Sequence, residues 1–319
     1  MSTRFGVSET ARTCTAWLKR DVLKPVLTSS AAWCFTTTWA AGAIYLAAIG
    51  RGDIVVSCLC LLAVLMFFCV ITVGITKTER EPKVKLSRTG RSLLLLQIAV
   101  IVFFVCMTLY TSLMFYGVVG RRSIPVWSPI IETFSRLGKQ MFSNDTVVNP
   151  ALAMANPAKY FLLPLPLLLL LGARFRELGF CRGRRTLSVV ALWCCVPAGV
   201  LVYLLAFGRL SCSALLRRLL SHLLINGFAE EFLMRGALQT RLRALLNPSW
   251  AIIIQALTFG MWHFAAHYGS LGITGIAPVI AFCIVRSATF GLAYGIIFQR
   301  TRNLLACTAI HVVTNSLGG

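Results

Sequence analysis

The sequence predicts an all-α protein, a polytopic transmembrane bundle of eight or nine helices, from three observations. Of the 319 residues, 57% are hydrophobic and only 13% are charged, whereas a soluble domain is about half apolar and a quarter charged. The mean hydropathy is +0.78. The apolar residues fall into runs, most of them near the ~20 residues that a helix needs to cross a bilayer. We therefore expect an integral, multi-pass membrane protein, in a membrane that the sequence does not specify.

The apolar runs predict the spans in chain order, with short polar or basic loops between them. The predicted spans are 31–49, 54–75, 92–119, 160–173, 187–207, 214–246, 249–267, 274–298 and 303–317. The fourth run is short and contains Pro164 and Pro166. We expect it either to be kinked or to be extended by the residues before it.

The positive charge is distributed as in a membrane protein. The chain has 31 Lys and Arg against 10 Asp and Glu, a formal net charge of +21. In a soluble protein this excess would suggest a nucleic-acid partner. Here the basic residues lie mostly between apolar runs, where they orient helices and contact anionic headgroups. The sequence therefore predicts membrane lipids, and no nucleic acid, as partners.

The basic loops also predict a topology. Loops 77–91 and 174–185 are strongly basic and are expected on the cytoplasmic side. The longer loop 120–159 is then placed on the opposite face. Within it, residues 130–142 alternate apolar and charged positions, which is typical of an interfacial helix.

Cysteine spacing gives no sign of a metal site. Most of the twelve cysteines lie inside apolar runs. None shows the short paired spacing, with histidine partners, that holds zinc. We predict neither a metal nor another cofactor.

Ionisable residues inside the apolar runs concentrate in the last hundred residues. We therefore divide the chain into residues 1–213, an N-terminal tail with scaffold helices, and residues 214–319, a functional core. Charges within a bilayer are costly, so they usually face a partner, a cavity or a reaction.

Two adjacent carboxylates and an arginine interrupt the sixth run. Glu231 and Arg235 are four residues apart, so on a helix they share a face and can pair. Glu230 points about 100° away and is free to face another group. Alternatively, all three form a buried ion network that fixes helix packing.

Each of two later segments contains a histidine with a second residue of interest one helical turn away. Phe259 precedes His263 by four residues, and His311 precedes Asn315 by four. His311 and Asn315 are suitable donors to a developing oxyanion, and equally suitable for hydrogen bonds between helices. At ~1.5 Å per residue, Glu230 and His263 lie about 26 and 22 Å from the turn that joins their helices. If the turn at residues 300–302 is on the same face, His311 and Asn315, about 14 and 20 Å along the last helix, lie at a comparable depth.

Arg286 belongs to none of these groups. It lies near the middle of the eighth run, where an unpaired charge is strongly disfavoured. We expect it to face a water-lined cavity or a carboxylate, with Glu230 and Glu231 as the obvious partners.

Together, these segments resemble a known family. The motifs are Glu230-Glu231-x-x-x-Arg235-Gly236, Phe259-x-x-x-His263 and His311-x-x-x-Asn315, with Gly236-Ala237-Leu238-Gln239 and the segment 291–304 in support. They resemble the CAAX protease and bacteriocin-processing family of intramembrane proteases, which includes the type II CAAX prenyl endopeptidases. The resemblance covers about residues 214–318. Earlier residues are similar to the family only in forming membrane helices.

The resemblance implies a glutamate-dependent intramembrane endopeptidase. It would hydrolyse a peptide bond near the C-terminus of a membrane-associated protein or peptide, with or without a prenyl group. Glu230 would act as the general base, and His263 would hold and polarise the attacking water. His311 and Asn315 would stabilise the oxyanion. Three further residues would organise the site: Glu231, Arg235 and Phe259.

Other functions remain open on the sequence. The same fold could serve a non-catalytic membrane immunity or scaffold protein. A zinc-dependent membrane protease would use Glu230, His263 and His311 as ligands, although no His-Glu-x-x-His spacing is present. A transporter is less favoured, because the chain shows no repeated half and no paired broken helices.

Overall fold

The computed structural model describes residues 24–77, 90–142, 149–183 and 185–317. Within these ranges the secondary structure is helical throughout, without a β-strand. The helices are α1 (Lys24–Thr28), α2 (Ser30–Ala48), α3 (Gly52–Ile75), α4 (Arg91–Phe115), α5 (Trp127–Met141), α6 (Pro150–Leu170), α7 (Thr186–Ala206), α8 (212–245), α9 (Pro248–Trp262), α10 (Phe264–His267), α11 (Ile276–Thr301) and α12 (Leu304–Asn315). Short 3₁₀ turns occupy Phe175–Leu178 and Ser270–Gly272.

Five of these helices are long and apolar enough to cross a membrane. They are α3, α4, α6, α7 and α11. The remaining predicted runs are also helical, but α8 carries many charges and α12 is short. The all-α prediction is confirmed, while the count of eight or nine spans stays a prediction. The N-terminal tail and most of the loop 77–91 lie outside the described residues.

Helix α6 begins ten residues before the predicted span. Asn149 caps it by accepting a hydrogen bond from the backbone N–H of Leu152 at 3.3 Å, and Pro150 occupies the first turn. A π-helical stretch, Ala158–Leu162, follows Pro157 inside the helix. The structure therefore shows that the residues before the predicted span extend it. It also places Lys159 in the middle of a helix instead of in the preceding loop.

Helix α5 corresponds to the amphipathic segment that was expected to be interfacial. It packs directly on the first turns of α6: a Cβ added at Gly138 would collide with the carbonyl oxygen of Pro150. Trp127, at its first turn, donates a 2.9 Å hydrogen bond to Thr111 on α4. These contacts hold α4, α5 and α6 together as one wall of the bundle.

Hydrogen bonds join the N-terminal helices to the C-terminal segment. Trp262 on α9 donates to Thr108 on α4 at 2.7 Å. Trp39 on α2 donates to the carbonyl oxygen of Val285 on α11 at 3.0 Å. Such bonds contribute to helix association in lipid, where apolar burial gives little driving force. The scaffold helices are therefore fixed to the segment that carries the motifs.

A buried arginine fixes the position of the C-terminal end of α8. The Nε–H of Arg241 donates to Oε1 of Gln97 on α4 at 3.0 Å, and Nη2 lies 3.8 Å from Oε2 of Glu177. Gln97 in turn donates to the carbonyl oxygen of Leu171 at 2.8 Å. Because Arg241 is fully buried, this set of contacts holds α8 against α4 and the 3₁₀ turn at Phe175–Leu178.

Helices α9 and α11 cross in backbone contact. A Cβ at Gly291 would lie 2.9 Å from Cα of Ala256, and one at Gly260 would lie 2.8 Å from the carbonyl oxygen of Cys283. Glycine at both positions allows this approach. The crossing sets the position of His263, which directly follows α9.

Candidate active site

The two carboxylates of helix α8 lie between two local distortions of the helix. Glu230 and Glu231 lie on one α-helical turn, Phe228–Glu231, between two π-helical stretches, Leu223–Gly227 and Phe232–Gln239. π-Helical insertions are rare and frequently occur at functional sites. Glu230 is 7% exposed and Glu231 is 0% exposed. Both carboxylates therefore depend on protein groups, or on groups in a cavity, in place of bulk water.

Glu231 lies at the centre of a hydrogen-bonded network. Its Oε1 atom accepts hydrogen bonds from Nη1 of Arg235 at 3.1 Å and from Nδ1 of His311 at 2.8 Å. The Arg235 guanidinium lies over the rings of Phe259 and Tyr294, with centroids at 4.3 and 5.2 Å. The pair expected from the spacing of Glu231 and Arg235 is thus present, and it is extended by His311 from α12.

Glu230 faces a different partner. Its Oε2 atom lies 3.9 Å from Nε2 of His263. The Nδ1 atom of His263 lies 2.8 Å from the carbonyl oxygen of Phe259. Because a carbonyl oxygen only accepts, Nδ1 carries the hydrogen, and Nε2 presents a lone pair towards Glu230. The gap is too long for a direct hydrogen bond, but it is a distance that one water could bridge.

Glu230 and His263 line a cavity of about 290 Å³. The rest of its wall comes largely from scaffold helices α4, α5 and α6, which sequence reasoning had not linked to the site. Apolar side chains form part of this wall: Phe115, Ile131, Leu152 and Trp262. Polar side chains interrupt it: Tyr116, Asn156, Lys159, Tyr160 and Asn226. The cavity therefore combines an apolar surface with a few polar groups, as small-molecule sites do.

His311 and Asn315 lie apart from this wall. His311 is buried, and its ring stacks on that of Tyr294 at 5.2 Å between centroids. Asn315 is the last residue of α12 and is half-buried. Neither His311 nor Asn315 is among the described residues that line the cavity. The structure thus brings Glu230 to His263 and joins Glu231 to Arg235 and His311. Asn315 lies one helical turn beyond that second group.

Comparison with protein families identifies the segment that carries these side chains. Residues 212–317 match the family model described as type II CAAX prenyl endopeptidase Rce1-like. We refer to residues 212–317, the part of the chain that is similar to this model, as the Rce1-like domain. No curated protein and no solved structure matches the chain. Because Rce1-like proteins are membrane-embedded and five helices can cross a bilayer, the protein is an integral membrane protein.

The Rce1-like domain comprises α8 to α12. Within it, the position of Arg286 differs from the expected one. Arg286 was expected to face the cavity or to pair with Glu230 or Glu231. Its side chain is instead exposed on the outer surface of α11, 6.0 Å from the centroid of the Phe282 ring. Arg286 lies within the π-helical stretch Cys283–Ser287. The long aliphatic stem allows the charge to reach a more polar layer.

The geometry of the Rce1-like domain also bears on the zinc alternative. In the described part of the chain, no three His, Cys, Asp or Glu side chains form a group that could hold a metal ion. Glu230, His263 and His311 therefore do not make a three-ligand set, because His311 is turned to Glu231. The arrangement of these three side chains does not fit zinc.

Proposed function

We propose that the protein is a glutamate-dependent intramembrane endopeptidase. It cleaves a peptide bond near the C-terminus of a membrane-associated protein or peptide. The observation that carries the proposal is the placement of Glu230 Oε2 and His263 Nε2, 3.9 Å apart, on the wall of one cavity. The match to an Rce1-like endopeptidase model supports the same reaction class.

The two acceptors define how a water would be activated. One water hydrogen points to the Glu230 carboxylate, and the other points to the Nε2 lone pair of His263. The oxygen lone pairs are then directed into the cavity, towards the scissile carbonyl. Glu230 takes a proton as the water oxygen attacks the carbonyl carbon. A C–O bond forms, and the carbonyl electron pair moves to the oxygen to give a tetrahedral oxyanion.

The intermediate then collapses. The electron pair on the oxyanion re-forms the carbonyl, the C–N bond breaks, and Glu230 returns its proton to the departing nitrogen. The products are a carboxylic acid and an amine, and one water is consumed. No covalent enzyme intermediate is involved, so the reaction needs neither a serine nor a cysteine nucleophile.

In this proposal His311 and Asn315 on α12, although they do not line the cavity, stabilise the oxyanion. Oε1 of Glu231 accepts from Arg235 as well as from Nδ1 of His311. His311 can therefore give a second hydrogen bond only through Nε2–H, as an imidazolium. Asn315 donates through its amide without a change of charge.

The test is a Glu230→Gln substitution in the full-length protein, reconstituted in lipid nanodiscs. Glutamine keeps the size of the side chain but cannot take a proton. We expect the cleavage rate of a peptide mixture, followed by mass spectrometry, to fall about 10²–10⁴-fold. The apparent unfolding temperature should not fall.

The matched control is Glu132→Gln, at an exposed glutamate on α5. It should cleave at the wild-type rate. Full activity of Glu230→Gln would exclude Glu230 as the base. If the biological activity of the chain also survived Glu230→Gln, the non-catalytic immunity or scaffold function would be favoured.

A further inference from the structure

Lys159 is a cavity-lining group that the proposed reaction does not use. It lies on α6, outside the Rce1-like domain, and is only 4% exposed. Its ammonium lies 5.2 Å from the centroid of the Tyr160 ring. Within the described residues, it makes no hydrogen bond and no ion pair. A buried ammonium without such a partner is strongly disfavoured, so this position is suited to an anion that enters the cavity.

Glu230 does not serve as that anion. Its Oε2 atom faces His263, and it interacts with Lys159 only over a longer distance. The cavity wall thus presents the Glu230 carboxylate beside His263 at one point and the Lys159 ammonium at another. A ligand that spans both points would present a reacting carbonyl to the first and a negative charge to the second.

A second polar group on α6 points to a peptide. Asn156 precedes Lys159 by three residues, so both lie on one face of the helix. The Asn156 Nδ2–H donates to the carbonyl oxygen of Ile225 at 3.0 Å, which fixes the orientation of the amide. Its Oδ1 atom is buried and has no partner in the described part of the chain. A backbone N–H of a bound peptide would satisfy this acceptor.

The size and surface of the cavity restrict the peptide further. A volume of about 290 Å³ is at the lower end for a ligand site, which favours the end of a chain over a continuous segment. The apolar side chains Phe115, Ile131 and Trp262 favour apolar residues. The anion that every peptide of apolar residues carries is its C-terminal carboxylate.

We propose that Lys159 binds the free C-terminal carboxylate of the substrate, while Asn156 accepts a backbone N–H of its last residues. This inference rests on the proposed endopeptidase function. Lys159 would be a specificity-determining residue contributed by the scaffold. The scissile bond lies where the substrate passes Glu230 and His263, so the released product is a short C-terminal peptide.

The test compares two peptide mixtures that differ only at the C-terminus. Both carry apolar residues at their last four positions, one with a free carboxylate and the other with an amide. In nanodiscs, we expect the wild-type protein to cleave the free acids with a kcat/KM about 10- to 100-fold higher, as for a hydrogen bond to a charged group. Lys159→Met should remove this preference by raising KM for the acids, and Lys159→Arg should restore part of it.

The matched control is Lys139→Met, at an exposed lysine on α5, which should retain the preference. Binding is measured separately by fluorescence anisotropy of the labelled peptides. The protein for this measurement carries Glu230→Gln, with and without Lys159→Met, so that the peptides stay intact. Tighter binding of the acids, lost with Lys159→Met, supports the proposal even if another residue proves to be the base.

Three outcomes would overturn the role of Lys159. The first is equal cleavage and binding of acids and amides by the wild-type protein. The second is an equal loss of cleavage of both mixtures by Lys159→Met, which would indicate that the lysine has a purely structural role. The third is a Lys159→Met effect that depends on phosphatidylglycerol in the nanodisc and not on the peptide terminus, which would indicate a lipid phosphate. Failure of the endopeptidase proposal is distinct, because the wild-type protein would then cleave neither mixture, whereas full cleavage by Glu230→Gln would exclude only Glu230 as the base.

Discussion

Glu231 and His311, 80 residues apart in the sequence, are joined by a 2.8 Å hydrogen bond between Oε1 and Nδ1. The same carboxylate oxygen accepts from Arg235. One carboxylate therefore fixes side chains from α8 and α12, while its sequence neighbour Glu230 remains available to the cavity. In this arrangement Glu231 acts on the site through the positions of the other two side chains.

Glu231→Ala should destabilise the whole protein as well as the site. It removes the hydrogen-bonded partner of Arg235 and leaves that guanidinium buried without a counter-charge. Loss of one partner of a buried ion pair costs about 3–5 kcal/mol. We therefore expect a clear fall in the apparent unfolding temperature in detergent, together with loss of cleavage.

Two matched variants test this explanation. Glu231→Gln keeps an acceptor oxygen and should lower the unfolding temperature less than Glu231→Ala. Glu132→Ala removes an exposed glutamate and should leave stability unchanged within about 0.5 kcal/mol. An unfolding temperature for Glu231→Ala equal to that of the wild type would show that the network does not hold the helices together.

Gly260→Ala should impair catalysis by displacing α9. The added Cβ would lie 2.8 Å from both the Cβ of Ala288 and the carbonyl oxygen of Cys283. The helices would have to separate, at a cost of about 1–3 kcal/mol for overpacking. His263 lies three residues later and would move with α9. Because a displacement of ~1 Å can cost ~10²-fold in rate, we expect a loss of that order in kcat.

Gly199→Ala is the control for this change. Gly199 lies within α7, and an added Cβ there meets no atom within 4 Å. The substitution should stabilise the helix by about 0.5–1 kcal/mol without altering the cleavage rate. If Gly260→Ala and Gly199→Ala cleaved equally well, the close crossing of α9 and α11 would not set the position of His263.

Sequence reasoning succeeded where the relevant geometry is local. The four-residue spacing of Glu231 and Arg235 places them on one helical face, and the pair is present in the structure. Arg286 shows the limit of such reasoning. Its depth within an apolar run indicated a cavity or a carboxylate partner, but the side chain is exposed. Hydrophobicity along a run does not indicate which side of a buried helix faces lipid.

Lys159 was missed because the apolar run in the sequence begins one residue later, at Tyr160. The local signal was the pair Asn149-Pro150, a helix cap followed by proline in the first turn. That signal starts the helix ten residues earlier and places Lys159 within it. Its contact with the cavity depends on how α6 packs against α5 and α8, which no spacing in a single sequence reveals.

Asn315→Ala tests the assignment of an oxyanion donor on α12. Removal of one such donor costs about 10²–10³-fold in kcat, with little change in KM because the bond forms only in the transition state. The side chain is half-buried at the end of α12, so the unfolding temperature should change little. Asn303→Ala provides the contrast at the other end of the helix. Asn303 caps α12 by accepting from the backbone N–H of Leu305 at 2.7 Å.

Loss of that cap should lower stability by about 1 kcal/mol without a selective loss in kcat. Comparison of Asn315→Ala with Asn303→Ala should therefore distinguish a chemical role from a structural role on the same helix. A kcat for Asn315→Ala equal to that of the wild type would remove this residue from the proposed mechanism. In that case Nε2–H of His311 would remain as the oxyanion donor from α12.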